Sequence, residues 1–394
     1  MKGVPRGVWA LGVVSLLMDV SSEMIHVLLP LYMVGVMGTS VLAVGVIEGI
    51  AAATAAFAKV FSGALSDWMG RRKPLAVAGY GLAALTKPLF AMAPSLGWLV
   101  AARFVDRLGK GIRGAPRDAL IADMTPPESR GAAYGLRQSL DMVGGFAGPL
   151  LAMVLIGWWG DFQAVFWVAV IPAALSVAVL LAFVREPAQP APRPARMPLN
   201  RADMARLDRR YWAVVGLAAL FTMARFSEAF LILLAGPAGL PLAMAPLVAV
   251  VMAASYAASA WPVGVLADRM NRHALLGLGI AVLIAANLVL AFVPGLWGLG
   301  IGVALWGLHL GMTQGLLAAM VADTVPPDLR GTGFGLFNLI SGLALLAASL
   351  LAGLIWDRFG PDAMLLSSAG LAFLALTGWS LRGARKAGGA GWPK

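Results

Sequence analysis

Long apolar runs alternate with short polar turns along the whole chain. The runs lie near 8–37, 40–66, 74–93, 96–121, 130–156 and 161–184, then 211–235, 241–266, 274–293, 297–320, 330–355 and 361–381. A helix of about 20 residues crosses the hydrocarbon core of a bilayer, so the pattern predicts twelve membrane spans. It changes between Arg185 and Arg210, where REPAQPAPRPARMPLNRADMARLDRR is rich in proline and arginine and cannot span. The pattern therefore predicts an all-α polytopic membrane protein with two six-helix bundles around a central cavity. The bundles are 1–184 and 211–381, with a linker at 185–210 and a tail at 382–394.

Composition removes the alternatives. Of 394 residues 60% are apolar and 12% charged, and that charged share is about half that of a soluble domain. Too few polar groups are present to cover a water-soluble fold, and far too few for a disordered chain. Cysteine is absent, which excludes disulfides and thiol chemistry. The apolar stretch after Arg6 runs past Tyr32 without a small-residue cleavage site, so it is read as the first span rather than a signal peptide.

The net charge of +11 mostly orients the chain. Twenty of the 30 Lys and Arg lie in the two termini, the linker and the loops at 67–73, 122–130, 267–273 and 321–330. Only Arg358 lies in a loop on the other side. By the positive-inside rule both termini and the linker are expected in the cytoplasm, in an inner membrane of bacterial type. The basic residues are thus expected to face lipid headgroups and not nucleic acid.

The two halves repeat. IADMTPPESRGAAYGL at 121–136 recurs as VADTVPPDLRGTGFGL at 321–336, and Gly63-Ala-Leu-Ser-Asp67-Trp-Met-Gly70-Arg71 has a weaker echo at Gly264 to Arg272. The offsets of 200 and 201 residues indicate one duplicated unit in parallel orientation. Parallel repeats flanking a pathway are a transporter design, with cargo near the midplane.

The loop Gly63-x-Leu65-x-Asp67-x-x-Gly70-Arg71-Arg72-Lys73 resembles the signature loop of the major facilitator superfamily. With the 6+6 repeat the resemblance covers nearly the whole chain, and it is similar to drug/proton antiporters without identifying a subfamily. It implies a cytoplasmic latch formed by Gly63, Asp67, Gly70, Arg71 and Arg72, with Asp268 and Arg272 in the second copy. That copy departs from the pattern at Asn271, which replaces glycine. Gly135, Gly144, Gly148 and Pro149 in span 5 are similar to the family's antiporter motif, although Ala152-Met153 replaces its closing Gly-Gly. Gly144 and Gly148 also make a small-residue surface for close helix packing.

Charges inside spans are costly unless paired or hydrated. Asp19, Glu23 and His26 share one face of span 1. Two such close carboxylates resist joint ionisation, so one could load and release a proton, or the set could bind a cation. Span 4 carries a stripe containing Arg103, Asp106, Arg107, Lys110 and Arg117. That stripe must line the cavity or meet acids such as Glu48. Arg103 or Arg107 resembles the family's fourth-helix arginine, which the resemblance links to proton transfer. Asp19, Glu23, Arg103, Asp106 and Arg107 are therefore the expected coupling residues. His26, Glu48, Lys110, Arg137, Asp141, Arg225, Glu228 and His309 are the expected cavity residues. Arg137 and Asp141, four apart, are expected to pair, and Lys59 to reach the cytoplasmic interface.

These signals point to a monomeric secondary transporter without a cofactor, driven by a proton or cation gradient and exporting a small molecule by antiport. Uptake of an anionic nutrient or metal complex is the alternative, as is metal-cation export through Asp19, Glu23 and His26. No catalytic triad or phosphate loop is present, so an enzyme is not expected.

Overall fold

A computed structural model describes residues 5–69, 71–126, 129–186, 204–267, 270–326 and 329–387. Among these residues the regular structure is helical throughout. The α-helices are α1 Arg6–Leu31, α2 Val41–Met69, α3 Lys73–Ala91, α4 Leu96–Met124, α5 Arg130–Trp159 and α6 Phe162–Phe183. They continue with α7 Arg209–Met223, α8 Glu228–Leu233, α9 Leu247–Ala267, α10 Arg272–Phe292, α11 Gly295–Thr324 and α12 Arg330–Ala387.

Local chemistry sets where the helices break. Pro30 lies inside α1, which widens into a π turn at Tyr32–Val36; a proline there removes one ladder donor and crowds the preceding turn. Gly160, at φ 65°, ends α5 in the left-handed conformation that favours glycine. The next residue, Asp161, caps α6 by accepting the Gln163 N–H at 2.8 Å. The expected span at 211–235 is interrupted at Ala224–Ser227, separating α7 from α8. Gly360, at φ 87°, breaks α12 just before Pro361.

The sequence repeat is also a structural one. Ser129 N–H donates to Pro126 O at 3.0 Å between α4 and α5, and Leu329 N–H to Pro326 O at 2.9 Å between α11 and α12. Each copy is thus a helix end, a proline turn and a helix start.

Nine stretches among the described residues are long and apolar enough to cross a membrane. One of them, Thr332–Trp379, is 48 residues long, room for two passes across the kink at Gly360. α3 and α4 are not among the nine, and α4 carries eight charged side chains in 29 residues.

α1 packs on α5 and α6, α3 on α4 and α6, and α2 on α4. In the second half α11 packs on α9 and α10, and α12 on α7 and α10. The halves meet along α2 and α12, and again where α5 touches α9. Small residues permit the first contact: a Cβ on Gly353 would lie 2.7 Å from Leu42 Cα, and one on Gly342 2.7 Å from Ala56 Cβ.

Apolar packing differs between the two ends of the molecule. At one end a single cluster draws on both halves, with Leu28, Tyr32 and Val44 beside Phe221, Phe230 and Trp306. Two smaller clusters lie toward the end carrying the proline turns. Val8, Leu11, Tyr80 and Leu120 form one cluster in the first half, while Tyr211, Val215 and Val321 form another in the second. The halves still touch toward that end, where a Cβ on Gly335 would lie 3.5 Å from Val60 Cγ1.

Candidate functional site

The site is built on the contact between α1 and α5. A Cβ on Gly144 would meet Leu16 O at 2.8 Å and Asp19 Cβ at 2.9 Å; one on Gly148 would meet Glu23 Cβ at 2.7 Å. Both glycines therefore let α5 approach α1 where the two carboxylates project. Around Gly135 there is nothing within 4 Å of such a Cβ, so it has no part in this approach. Pro149 continues the helix one residue beyond Gly148.

Asp19 and Glu23 lie within electrostatic reach of each other but face different partners. Asp19 Oδ1 is 3.9 Å from Arg113 Nη2, whereas Glu23 Oε1 is 3.6 Å from His26 Nδ1. His26 Nδ1 is also 2.8 Å from Arg107 Nη2. Because a guanidinium only donates, Nδ1 is the acceptor and His26 is neutral with its proton on Nε2. That nitrogen lies 3.9 Å from Asp106 Oδ2.

The α4 stripe is met by acids and hydroxyls from three other helices. Lys87 of α3 donates to Asp106 Oδ1 at 2.8 Å and to Ser22 Oγ at 3.1 Å, with both charged side chains almost fully buried. Arg103 Nη2 reaches both oxygens of Glu48 at 2.7 Å, tying α4 to α2. Arg113 lies over the Tyr80 ring at 4.8 Å. Arg117 donates to Ser15 Oγ at 3.0 Å and to Asp118 at 3.1 Å. Arg137 and Asp141 pair at 3.0 Å across one helical turn.

Between these helices lies a cavity of about 310 Å³, lined by Asp19, Lys59, Lys110, Arg113, Arg117, Asp118 and Asp141. Ala55, Ala56, Gly111 and Gly114 complete the wall from the first half, and Asn338 of α12 comes from the second. Of the cavity residues expected from the sequence, Lys110 and Asp141 line it. Glu48 is held by Arg103 beside it, and Arg137 stands behind Asp141. Lys59 was expected at the membrane interface; it turns into the cavity instead. Arg113, Asp118 and Asn338 are further lining residues. A helical-face reading of α4 placed Arg117 in the stripe, but nothing in the sequence marks Asn338.

The second half contributes fewer charges. Arg225 stacks over Phe221 at 5.2 Å. Glu228, at the start of α8, is exposed and within electrostatic reach of Glu23 and Lys110. His309 is completely buried, its Nδ1 2.8 Å from Gly279 O and its ring edge-on to Phe221. It is a packing residue, not a cavity one.

The α2–α3 turn is held by contacts within the first half. Arg72 donates to Ser66 Oγ at 2.8 Å and pairs with Asp123 at 3.4 Å. The Glu186 carboxylate accepts from the backbone N–H groups of Arg72 and Lys73 at the start of α3. Glu186 and Asp123 were not expected from the loop motif, although Asp123 lies in the repeated 121–136 segment. Gly63 is 3.4 Å, through an added Cβ, from Ala115 Cβ, and Arg71 is exposed. Gly70 and Asp268, and the side chains of Asp67 and Arg272, lie outside the described residues.

Among the described residues no three His, Asp or Glu side chains converge as metal ligands. Glu23 and His26 lie 3.6 Å apart, whereas Asp19 faces Arg113.

Buried ion pairs and a charged cavity thus lie among membrane-length helices, the architecture of a multi-pass membrane protein. The model of the Major Facilitator Superfamily matches residues 11–347, and the chain belongs to that family. It is 31% identical over 387 residues to an uncharacterised MFS-type transporter of Methanocaldococcus jannaschii, covering 95% of this chain and 94% of the relative. It is 24% identical over 393 residues to the inner membrane transport protein YajR of Escherichia coli, covering 95% and 83%. A POT family transporter solved in complex with 5-aminolevulinic acid shares the fold, with a TM-score of 0.82, 11% identity and 95% of each chain covered.

Proposed function

We propose that this protein is a proton-coupled antiporter that exports a small molecule by alternating access. Its twelve spans form two six-helix bundles, 1–184 and 211–381, joined by a cytoplasmic linker. It works as a monomer in a cytoplasmic membrane, with both termini inside. The observation that carries the reading is the seating of Asp19 and Glu23 against Gly144 and Gly148 beside the cavity. There two carboxylates one helical turn apart lie among basic groups within apolar helices. Loading a proton there changes the pairing of Asp19 with Arg113 and relieves the repulsion between Glu23 and the unprotonated Nδ1 of His26.

With the positive-rich turns inside, the proline turns mark the cytoplasmic end and the π turn after α1 the outer end. Cargo then enters the cavity from inside, and protons arriving from outside replace it.

The test is transport in proteoliposomes under an imposed pH gradient. Asp19→Asn and Glu23→Gln, singly and together, should abolish pH-driven flux while leaving downhill exchange measurable. Undiminished pH-driven transport by the double variant rejects the coupling role. Accumulation of cargo in symport with protons rejects antiport.

A further inference from the structure

We propose that Lys59 and Lys110 form an anion-binding subsite, so that the cargo is a small organic anion bearing a carboxylate or phosphate group. The inference rests on the transporter reading and names the substrate class of the same cavity.

The charge balance of the lining carries it. Each of the three acids already faces arginine. Asp118 lies 3.1 Å from Arg117 and 3.6 Å from Arg137, and Asp141 3.0 Å from Arg137. Asp19 is 3.9 Å from Arg113. Lys59 and Lys110 are both exposed to the cavity, and neither has a hydrogen bond or an ion pair of 4.0 Å or less among the described residues. The nearby carboxylates of Asp19, Glu23 and Glu228 act on Lys110, and that of Asp118 on Lys59, only at longer range. A third donor is also unmet: Arg113 Nη1 is buried without a hydrogen-bond partner, on a side chain only 5% exposed.

Backbone packing brings the two lysines together from different helices. A Cβ on Gly111 would lie 2.7 Å from Ala55 O and 3.1 Å from Lys59 N. α4 therefore touches α2 one residue after Lys110. The stem of Lys59 then lies across Gly114, its Cε 3.9 Å from where a Cβ would stand. A side chain at 114 would occupy that groove.

Two ammonium groups without an ion pair, in a cavity whose acids already face arginine, favour an anionic partner, and amine–carboxylate or amine–phosphate contacts are among the stronger hydrogen bonds. The remaining buried acceptor in the lining, Asp141 Oδ1, lacks a partner and suits a hydroxyl on the same cargo. The volume of about 310 Å³ lies at the small end of ligand pockets, which favours a small hydroxy acid or phosphate ester over a bulky apolar drug.

The test uses the purified full chain in detergent, titrated by calorimetry with gluconate, succinate, inorganic phosphate, neutral glycerol and cationic tetraphenylphosphonium. At least one anion should bind saturably. Lys59→Gln and Lys110→Gln should each weaken it about ten- to hundredfold, and Lys59→Arg should largely retain it, which separates lost charge from lost folding. The proposal is overturned if no anion binds, if the cation or glycerol binds as tightly, or if both glutamine variants bind the anion like the wild type. The bound anion is then offered to proteoliposomes. Anion binding without flux refutes the transporter reading and leaves the subsite standing. Full anion flux in both glutamine variants refutes the subsite and leaves the transporter reading standing.

Discussion

The carboxylate of Asp357, beside the break in α12, accepts hydrogen bonds from the backbone N–H groups of Val41 and Leu42 at 3.0 and 2.9 Å. These are the first two residues of α2, and Ser40 Oγ takes the next N–H, from Ala43, at 3.1 Å. A helix start leaves four such donors unsatisfied. Here a side chain from the other half of the chain satisfies two of them. The contact lies at the end opposite the proline turns, where α2 and α12 must part if the molecule opens there.

Asp357→Ala should therefore favour the state open at that end. A carboxylate at an exposed helix N-terminus contributes about 0.3–1 kcal/mol, so the population ratio should move by up to about fivefold. The chain has no cysteine, so spin labels at Val36→Cys and Phe359→Cys, both exposed, report the distance directly. An unchanged distance distribution would show that the bond has no part in closing that end.

The seating of α1 on α5 makes a second prediction. Gly148→Val should force α5 off Glu23 and cost about 1–3 kcal/mol through overpacking, with a lowered Tm and lost transport. Gly135→Ala, in open space, should leave both unchanged. Equal effects of the two substitutions would remove Gly148 from the packing role.

Lys87 and Asp106 are a buried ion pair at 2.8 Å. Lys87→Met strands the carboxylate with Arg107 as its nearest remaining cation, at 3.6 Å, and should destabilise by about 3–5 kcal/mol. The double variant Lys87→Met/Asp106→Leu should recover part of that loss. Thermal unfolding of the four proteins in the cycle measures the coupling, and simple additivity of the single effects would contradict it.

His26 should be neutral and protonated at Nε2 in the conformation described, because Arg107 occupies Nδ1 as a donor. The chain has three histidines, so nitrogen NMR of selectively labelled protein can assign the signal by comparison with His26→Gln. A signal protonated at Nδ1 at neutral pH would rule out the Arg107 hydrogen bond.

Much of the architecture is legible in the one-dimensional pattern. The apolar runs place α5, α6, α10 and α11 within a few residues, and the repeat at 121–136 and 321–336 marks the two proline turns that the structure contains. The Arg137–Asp141 pair follows from four-residue spacing alone. What hydropathy misses are interruptions within apolar runs, such as Ala224–Ser227 between α7 and α8. The run is apolar enough on average to be read as one span, and the break falls where Arg225 is followed by Ser227, the N-cap of α8. α4 lies where the pattern placed it at 96–121, but its eight charges leave it outside the nine apolar stretches, and only its neighbours explain how those charges are tolerated.

The sequence by itself determined that the chain is a duplicated membrane protein with a charged fourth helix, because apolarity and repetition are additive along the chain. Only tertiary structure decided which charges meet. Successive residues of a helix are rotated by about 100°, since 3.6 residues complete a turn. A side chain's partner therefore depends on how each helix is turned against the next. Gly111 against Ala55 turns Lys59 into the cavity, Gly144 and Gly148 aim Asp19 and Glu23 at different basic groups, and α12 brings Asp357 across 316 residues to the start of α2.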